Sequence, residues 1–166
     1  MTRASKMSTE KVMVDPAALQ KHSLFGGLTV EQIESIRPLL GQEGYVAGET
    51  IIKEGEANDR IRFVMEGRVA VTRAGRLIIE IGEGETFGEM EVLDVMPSVA
   101  SVRATIPTLV TTISNRALRE MYKLDSRVFS LIIMNLARDL SRRLRRMDEL
   151  LCADRQPEAT ADIASR

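Results

Sequence analysis

The sequence predicts a mainly β protein of the α+β class, an antiparallel sandwich or barrel with short helices before it and one long helix after it. Three observations carry this expectation. Between Tyr45 and about residue 113, short β-branched runs follow one another with glycines at the joints. Residues 15–40 hold two capped helical patterns. From Asn115 onward the apolar spacing changes to the helical period.

Each element follows from its own residues. Residues 1–14 are polar and aperiodic and are expected to form a flexible leader. In "DPAALQKHSLFGGLTVEQIESIRPLLGQ", Asp15 caps a first helix and Pro16 suits its first turn. Gly26 and Gly27 break the chain, and Thr29 caps a second helix whose apolar side is Leu28, Ile33, Ile36, Leu39 and Leu40. The β-rich runs are "TIIKEG", "RIRFVMEG", "RVAVTRAG", "RLIIEIGEG", "ASVRAT" and "LVTTIS". "RALREMYKL" then reads as a short amphipathic helix, and about residues 126–152 as a long one. On the long helix Phe129, Ile132, Ile133, Leu136, Leu140, Leu144, Met147 and Leu151 share a face, with Arg138, Arg145 and Glu149 opposite. At about 1.5 Å per residue it is roughly 40 Å long, more than a small barrel covers, so its far end is expected to pair with a second copy. Leu136, Leu140, Leu144, Met147 and Leu151 are the dimerisation candidates, and Arg143 interrupts their stripe. The tail, 153–166, is polar and expected to be disordered.

The bulk properties fit one domain, residues 15–152, with a substantial core. Its 23 basic and 24 acidic residues create no global field that recruits nucleic acid or an anionic membrane. Cys152 is the only cysteine, which excludes an internal disulfide and favours a cytoplasmic setting. No apolar run has the length of a signal peptide core or a membrane span. His22 is the only histidine and precedes the β region, so neither a catalytic triad nor a histidine-lined metal site is expected, and an enzyme is not. Glu83, Glu85, Glu89 and Glu91 read as a solvated acidic rim, and Arg138, Arg142, Arg143, Arg145 and Arg146 as solvated helix surface.

The order of elements, with "LFGGLTVEQIESI", "GETIIKEGEANDRIRFVMEGRVAV", "IGEGETFGEMEVLDVMP" and "LARDLSRRLRR" inside it, resembles the cyclic-nucleotide-binding domain of the catabolite-activator, kinase-regulatory-subunit and gated-channel families. The resemblance runs from about Leu19 to Leu151. It implies an antiparallel β-roll, or jelly roll, of about eight strands. It also implies a phosphate cassette, onto which Phe87, Gly88, Glu89, Met90, Val92, Leu93, Pro97 and Ala100 fall. By resemblance Glu89 would accept from a ribose hydroxyl, while amides of the turn at Gly88 would face a cyclic phosphate.

Two residues depart from the family pattern. Ser98 stands where the family has a phosphate-pairing arginine, and Glu91 where it has a small neutral residue. A charge-assisted hydrogen bond is worth about 1.5–3 kcal/mol, so the arginine's absence should cost roughly 10- to 150-fold in affinity. Val99 lacks the hydroxyl that guanine-preferring relatives use. Strand alternation puts Arg103 outside, and Arg60 and Arg62 are left as alternative cations. The expected function is a non-enzymatic, stand-alone regulatory module that binds cyclic AMP weakly, or another small anion, and needs no metal or cofactor. The alternative is a vestigial pocket on a protein-docking unit with a protein partner. Because only a short polar stretch follows the long helix, sequence-specific DNA binding is not expected.

Overall fold

A computed structural model describes residues 15–154. The leader expected at 1–14 and all but the first two residues of the expected tail lie outside them. Two short helices, α1 (Pro16–Gln20) and α2 (Val30–Ile36), flank a 3₁₀ turn at Ser23–Phe25. Asp15 caps α1. Thr29 and Gln32 close a reciprocal capping box on α2. Eight strands follow: β1 (Gly41–Tyr45), β2 (Thr50–Ile52), β3 (Arg60–Glu66), β4 (Arg68–Arg73), β5 (Arg76–Gly82), β6 (Thr86–Phe87), β7 (Ser101–Ala104) and β8 (Thr108–Ser114). A short helix α3 (Glu89–Asp94) interrupts them, and α4 (Asn115–Leu124) and α5 (Ser126–Asp154) end the described chain.

The strands form two four-stranded antiparallel sheets, ordered β1-β8-β3-β6 and β2-β7-β4-β5. Strand period sorts the core. Ile61 and Phe63 of β3 face the helices, where they pack with Leu24, Phe25, Ile33, Ile36, Val128, Ile132 and Leu136. Val64, one residue on, faces the interior of the roll with Val69, Ile81, Phe87, Val102 and Val110. Phe25 meets Phe63 edge to face at 5.9 Å. His22, which precedes the β region, is half-buried with its ring 4.7 Å from that of Phe63, and burial lowers its pKa.

Strands β1 and β6 lie outside the runs read as strands from the sequence. The "GQEGY" of β1 carries two glycines and no β-branched residue, yet it pairs with β8 from Gly41↔Thr112 to Tyr45↔Thr108. The register is imposed by its partner, not by propensity. β6 is two residues long and pairs Arg62↔Phe87 and Phe63↔Thr86, which hangs α3 directly from the central strand β3. The long helix continues through Asp154, the last described residue, two residues past the expected boundary.

Candidate functional site

Residues 86–100 form one excursion from the roll, pinned at both ends. At its start Phe87 is buried in the roll interior, and Gly88 turns the chain with φ 74°. A Cβ there would stand 2.9 Å from Asn58 Nδ2 and 3.0 Å from the Arg60 carbonyl oxygen, so only glycine fits. Asn58 locks the turn by donating to the Gly88 carbonyl at 2.8 Å and the Arg60 carbonyl at 2.9 Å. At the far end the Ser98 N–H donates to Glu56 O at 2.9 Å, and the Ser98 carbonyl accepts from Gly55 N at 2.7 Å. Between them α3 buries Val92 and exposes Met90 and Leu93. Val99 is also exposed, and Ala100 contributes its carbonyl.

Glu89 is 1% exposed. Burial raises its pKa, and the guanidinium of Arg143 partly offsets that. Arg143 Nη1 donates to Glu89 Oε1 at 2.8 Å, and Nη2 donates to the Thr86 carbonyl. Glu89 Oε2, the Thr86 hydroxyl and Arg143 Nε are buried with no hydrogen-bond partner. This charge pair comes from a helix the sequence places far away. Its only sequence signal is Arg143 interrupting an otherwise apolar stripe.

The wall that would meet a phosphate is acidic. Ser98, 4% exposed, lies with its hydroxyl 2.6 Å from Glu91 Oε1 and 2.8 Å from the Ala100 carbonyl, one hydrogen for two acceptors. Glu91 Oε2 is buried and unpartnered. The side chain of Glu91 therefore folds towards residue 98, not into solvent.

The other candidate cations are committed elsewhere. Arg103 is exposed and bonds the Gly48 carbonyl. Arg60 and Arg62 converge on Glu43, at 2.7 and 3.1 Å. Arg62 also donates to Asn58 Oδ1 at 2.8 Å. Burial works against ionised Glu43, but the Tyr45 hydroxyl, Arg62 and Arg60 outweigh it and lower its pKa. The Tyr45 phenol, buried beside that carboxylate, is pushed up to about 12.

The four glutamates expected as a solvated rim are individually engaged. Glu89 and Glu91 are in the cassette, Glu85 accepts from Gly82 N and Arg146, and Glu83 accepts from Gly67 N. Of the α5 arginines, Arg138, Arg142 and Arg145 are exposed helix surface as expected, whereas Arg143 and Arg146 reach the roll. Asn135 donates to the Leu24 and Gly26 carbonyls, Ser23 donates to Asp139, Arg143 reaches Glu89, and Arg146 reaches Glu85. Residues 135, 139, 143 and 146 thus make a polar seam between α5 and the roll. Of the dimerisation candidates, Leu136 is fully buried in the domain's own core and unavailable to a second copy. Leu140 and Met147 are partly exposed, and Leu144 and Leu151 are exposed at 61% and 59%.

A family model described as the cyclic nucleotide-binding domain matches residues 42–125. The chain is 30% identical over 119 residues to the cGMP-dependent protein kinase egl-4 of Caenorhabditis elegans, covering 72% of this chain and 14% of that one. It is 33% identical over 102 residues to human cGMP-dependent protein kinase 2, covering 61% of this chain and 13% of the kinase. The chain thus spans about one seventh of these relatives' length. Among solved structures, a cyclic nucleotide-binding domain from Methylobacillus flagellatus superposes with TM-score 0.77 at 23% identity, covering 87% of this chain and 84% of that one. The catabolite activator protein of Thermus thermophilus superposes with TM-score 0.66 at 29% identity, covering 79% and 62%.

Proposed function

Because the chain belongs to the cyclic nucleotide-binding domain family, we propose that it is a non-enzymatic regulatory module whose cassette takes cyclic AMP only weakly, no tighter than high micromolar. The observation that carries this reading is the 2.6 Å contact between Ser98 and Glu91. It puts a carboxylate and a neutral hydroxyl where the family pattern has a small residue and an arginine. An anion entering there meets a like charge and no guanidinium. On the side that resemblance assigns to the ribose, Glu89 is buried and paired with Arg143. Calorimetric titration with cyclic AMP and cyclic GMP at low salt tests the reading. A submicromolar dissociation constant would reject it.

A second reading, a docking or dimerising unit, rests on α5. Phe129 and Ile133 line an apolar groove of about 530 Å³ with Val92, Leu93, Leu118 and Tyr122. At 100° per residue, Phe129, Ile133, Leu140, Leu144, Met147 and Leu151 share one stripe. Asp139 and Arg146 of the polar seam lie more than a quarter turn from its centre, and Arg143 borders it, about 70° from the centre. The helix can therefore stay seated on its own roll while presenting the stripe to a second copy. No helix among the described residues is long and apolar enough to cross a membrane.

A further inference from the structure

The polar seam encloses a cavity that the cassette reading does not use. It measures about 420 Å³ and is walled on the α5 side by Asp139, Arg142, Arg143, Arg145 and Arg146, and elsewhere by Glu85 among others. Four arginines and two carboxylate residues thus line it, an excess of two positive charges. Glu89, on the other side of Arg143, reduces that excess to one. The pairings leave donors over. Arg145 makes no ion pair among the described residues, and Arg143 Nε is buried without a partner. Arg142 and Arg146 each spend one nitrogen on Asp139 and Glu85, and a guanidinium has five N–H groups. The volume is that of a small-ligand site. A concave pocket between helix and sheet suits a compact free anion better than a polymer lying along a surface.

We propose that this cavity binds a small free phosphate-type anion, of about the size of pyrophosphate, through Arg142, Arg145 and Arg146, with the charge of Arg143 beside it. The cassette's missing positive charge stands here, on α5, and the proposal does not require the cassette to bind a nucleotide. Glu89 competes with the anion for Arg143. The two sites therefore respond oppositely to Glu89→Gln: cyclic AMP binding at the cassette weakens, and anion binding in the cavity tightens.

The test is calorimetric titration of the full chain with sodium pyrophosphate, with sodium chloride added to hold ionic strength constant. One equivalent should bind per chain. Arg145→Gln should weaken it by about tenfold or more, one charge-assisted hydrogen bond's worth, without changing the melting temperature in chloride. Arg142→Gln should do the same, and Glu89→Gln should strengthen binding. Heats that vanish at matched ionic strength overturn the proposal, as does wild-type affinity in both arginine variants. Cosedimentation with phosphatidylcholine–phosphatidylserine vesicles in the absence of pyrophosphate binding also overturns it, because the arginines would then serve a lipid surface.

Discussion

Arg143 of α5 closes on Glu89 at 2.8 Å across 54 residues of sequence, and with its other terminal nitrogen takes the carbonyl of Thr86. One side chain thereby holds both the strand that enters the cassette turn and the helix that leaves it. Removing one member of a buried pair strands the other charge, at a cost of about 3–5 kcal/mol. Arg143→Met should therefore destabilise the domain by about 3 kcal/mol, and Arg143→Met with Glu89→Gln by clearly less. Urea unfolding of the wild type, both single variants and the double variant measures the coupling. Additive effects would show that the pair is not formed in solution.

The cassette can be asked to regain its lost cation. Ser98→Arg supplies a guanidinium, and Glu91→Ala removes the carboxylate now hydrogen-bonded to Ser98. Together they should tighten cyclic AMP binding by about thirtyfold, or roughly 2 kcal/mol, and Glu89→Gln added to them should reverse part of the gain. A double variant that melts like the wild type yet binds no better would show that the turn lacks cassette geometry.

Sedimentation at micromolar concentration should reveal a dimer that Leu144→Asp dissociates. Leu144 is 61% exposed, so the substitution leaves the domain's own core untouched. A species of 18.5 kDa in both proteins would remove the association stripe from consideration.

Val95 ends α3 in the left-handed region at φ 59°, a conformation that a β-branched residue tolerates poorly, and its side chain is 82% exposed. Val95→Gly should raise stability by about 1 kcal/mol, seen as a higher urea midpoint at unchanged slope. A lowered midpoint would contradict the strain.

Two buried carboxylates pull the pH dependence in opposite directions. Glu89 has a raised folded pKa, so the folded state holds its proton more tightly than the unfolded chain. Its contribution to stability is greatest at low pH and is lost as pH rises from the ordinary glutamate range through the folded value. Glu43 has a lowered folded pKa, so its contribution is present above 4.5 and is lost as pH falls through the folded value. In thermal melts from pH 3 to 8, Glu89→Gln should gain on the wild type as pH rises. Glu43→Gln should lose ground over the same range. Parallel curves would refute both assignments.

Much of the fold was legible because periodicity and punctuation agree with it. The capping residues Asp15 and Thr29, the alternation in β3 and the apolar face through Ile132 and Leu136 each report a local preference that packing reinforces. β1 was not legible, because "GQEGY" has no strand propensity and owes its conformation to β8. In the site, Gly88, Glu89 and Ser98 were found by pattern, and the direction of Glu91 was not. On a six-residue helix its side chain could face solvent or residue 98, and only the return of the chain to Gly55 and Glu56 decides. Asn58 and Arg143 were missed because hydrogen bonds spanning 30 and 54 residues leave no local trace.

The polar seam gives α5 two mechanically different halves. Up to Leu136 the helix is part of the hydrophobic core and cannot leave without unfolding the domain. Beyond it, the helix is held by the buried Arg143–Glu89 pair and by two contacts open to water, Ser23 to Asp139 and Arg146 to Glu85. Such contacts weaken with salt and open at a fraction of the global unfolding free energy. The C-terminal half of the helix is thus a lever arm on a fixed fulcrum, released only when the Arg143–Glu89 pair opens while the roll that carries it stays intact.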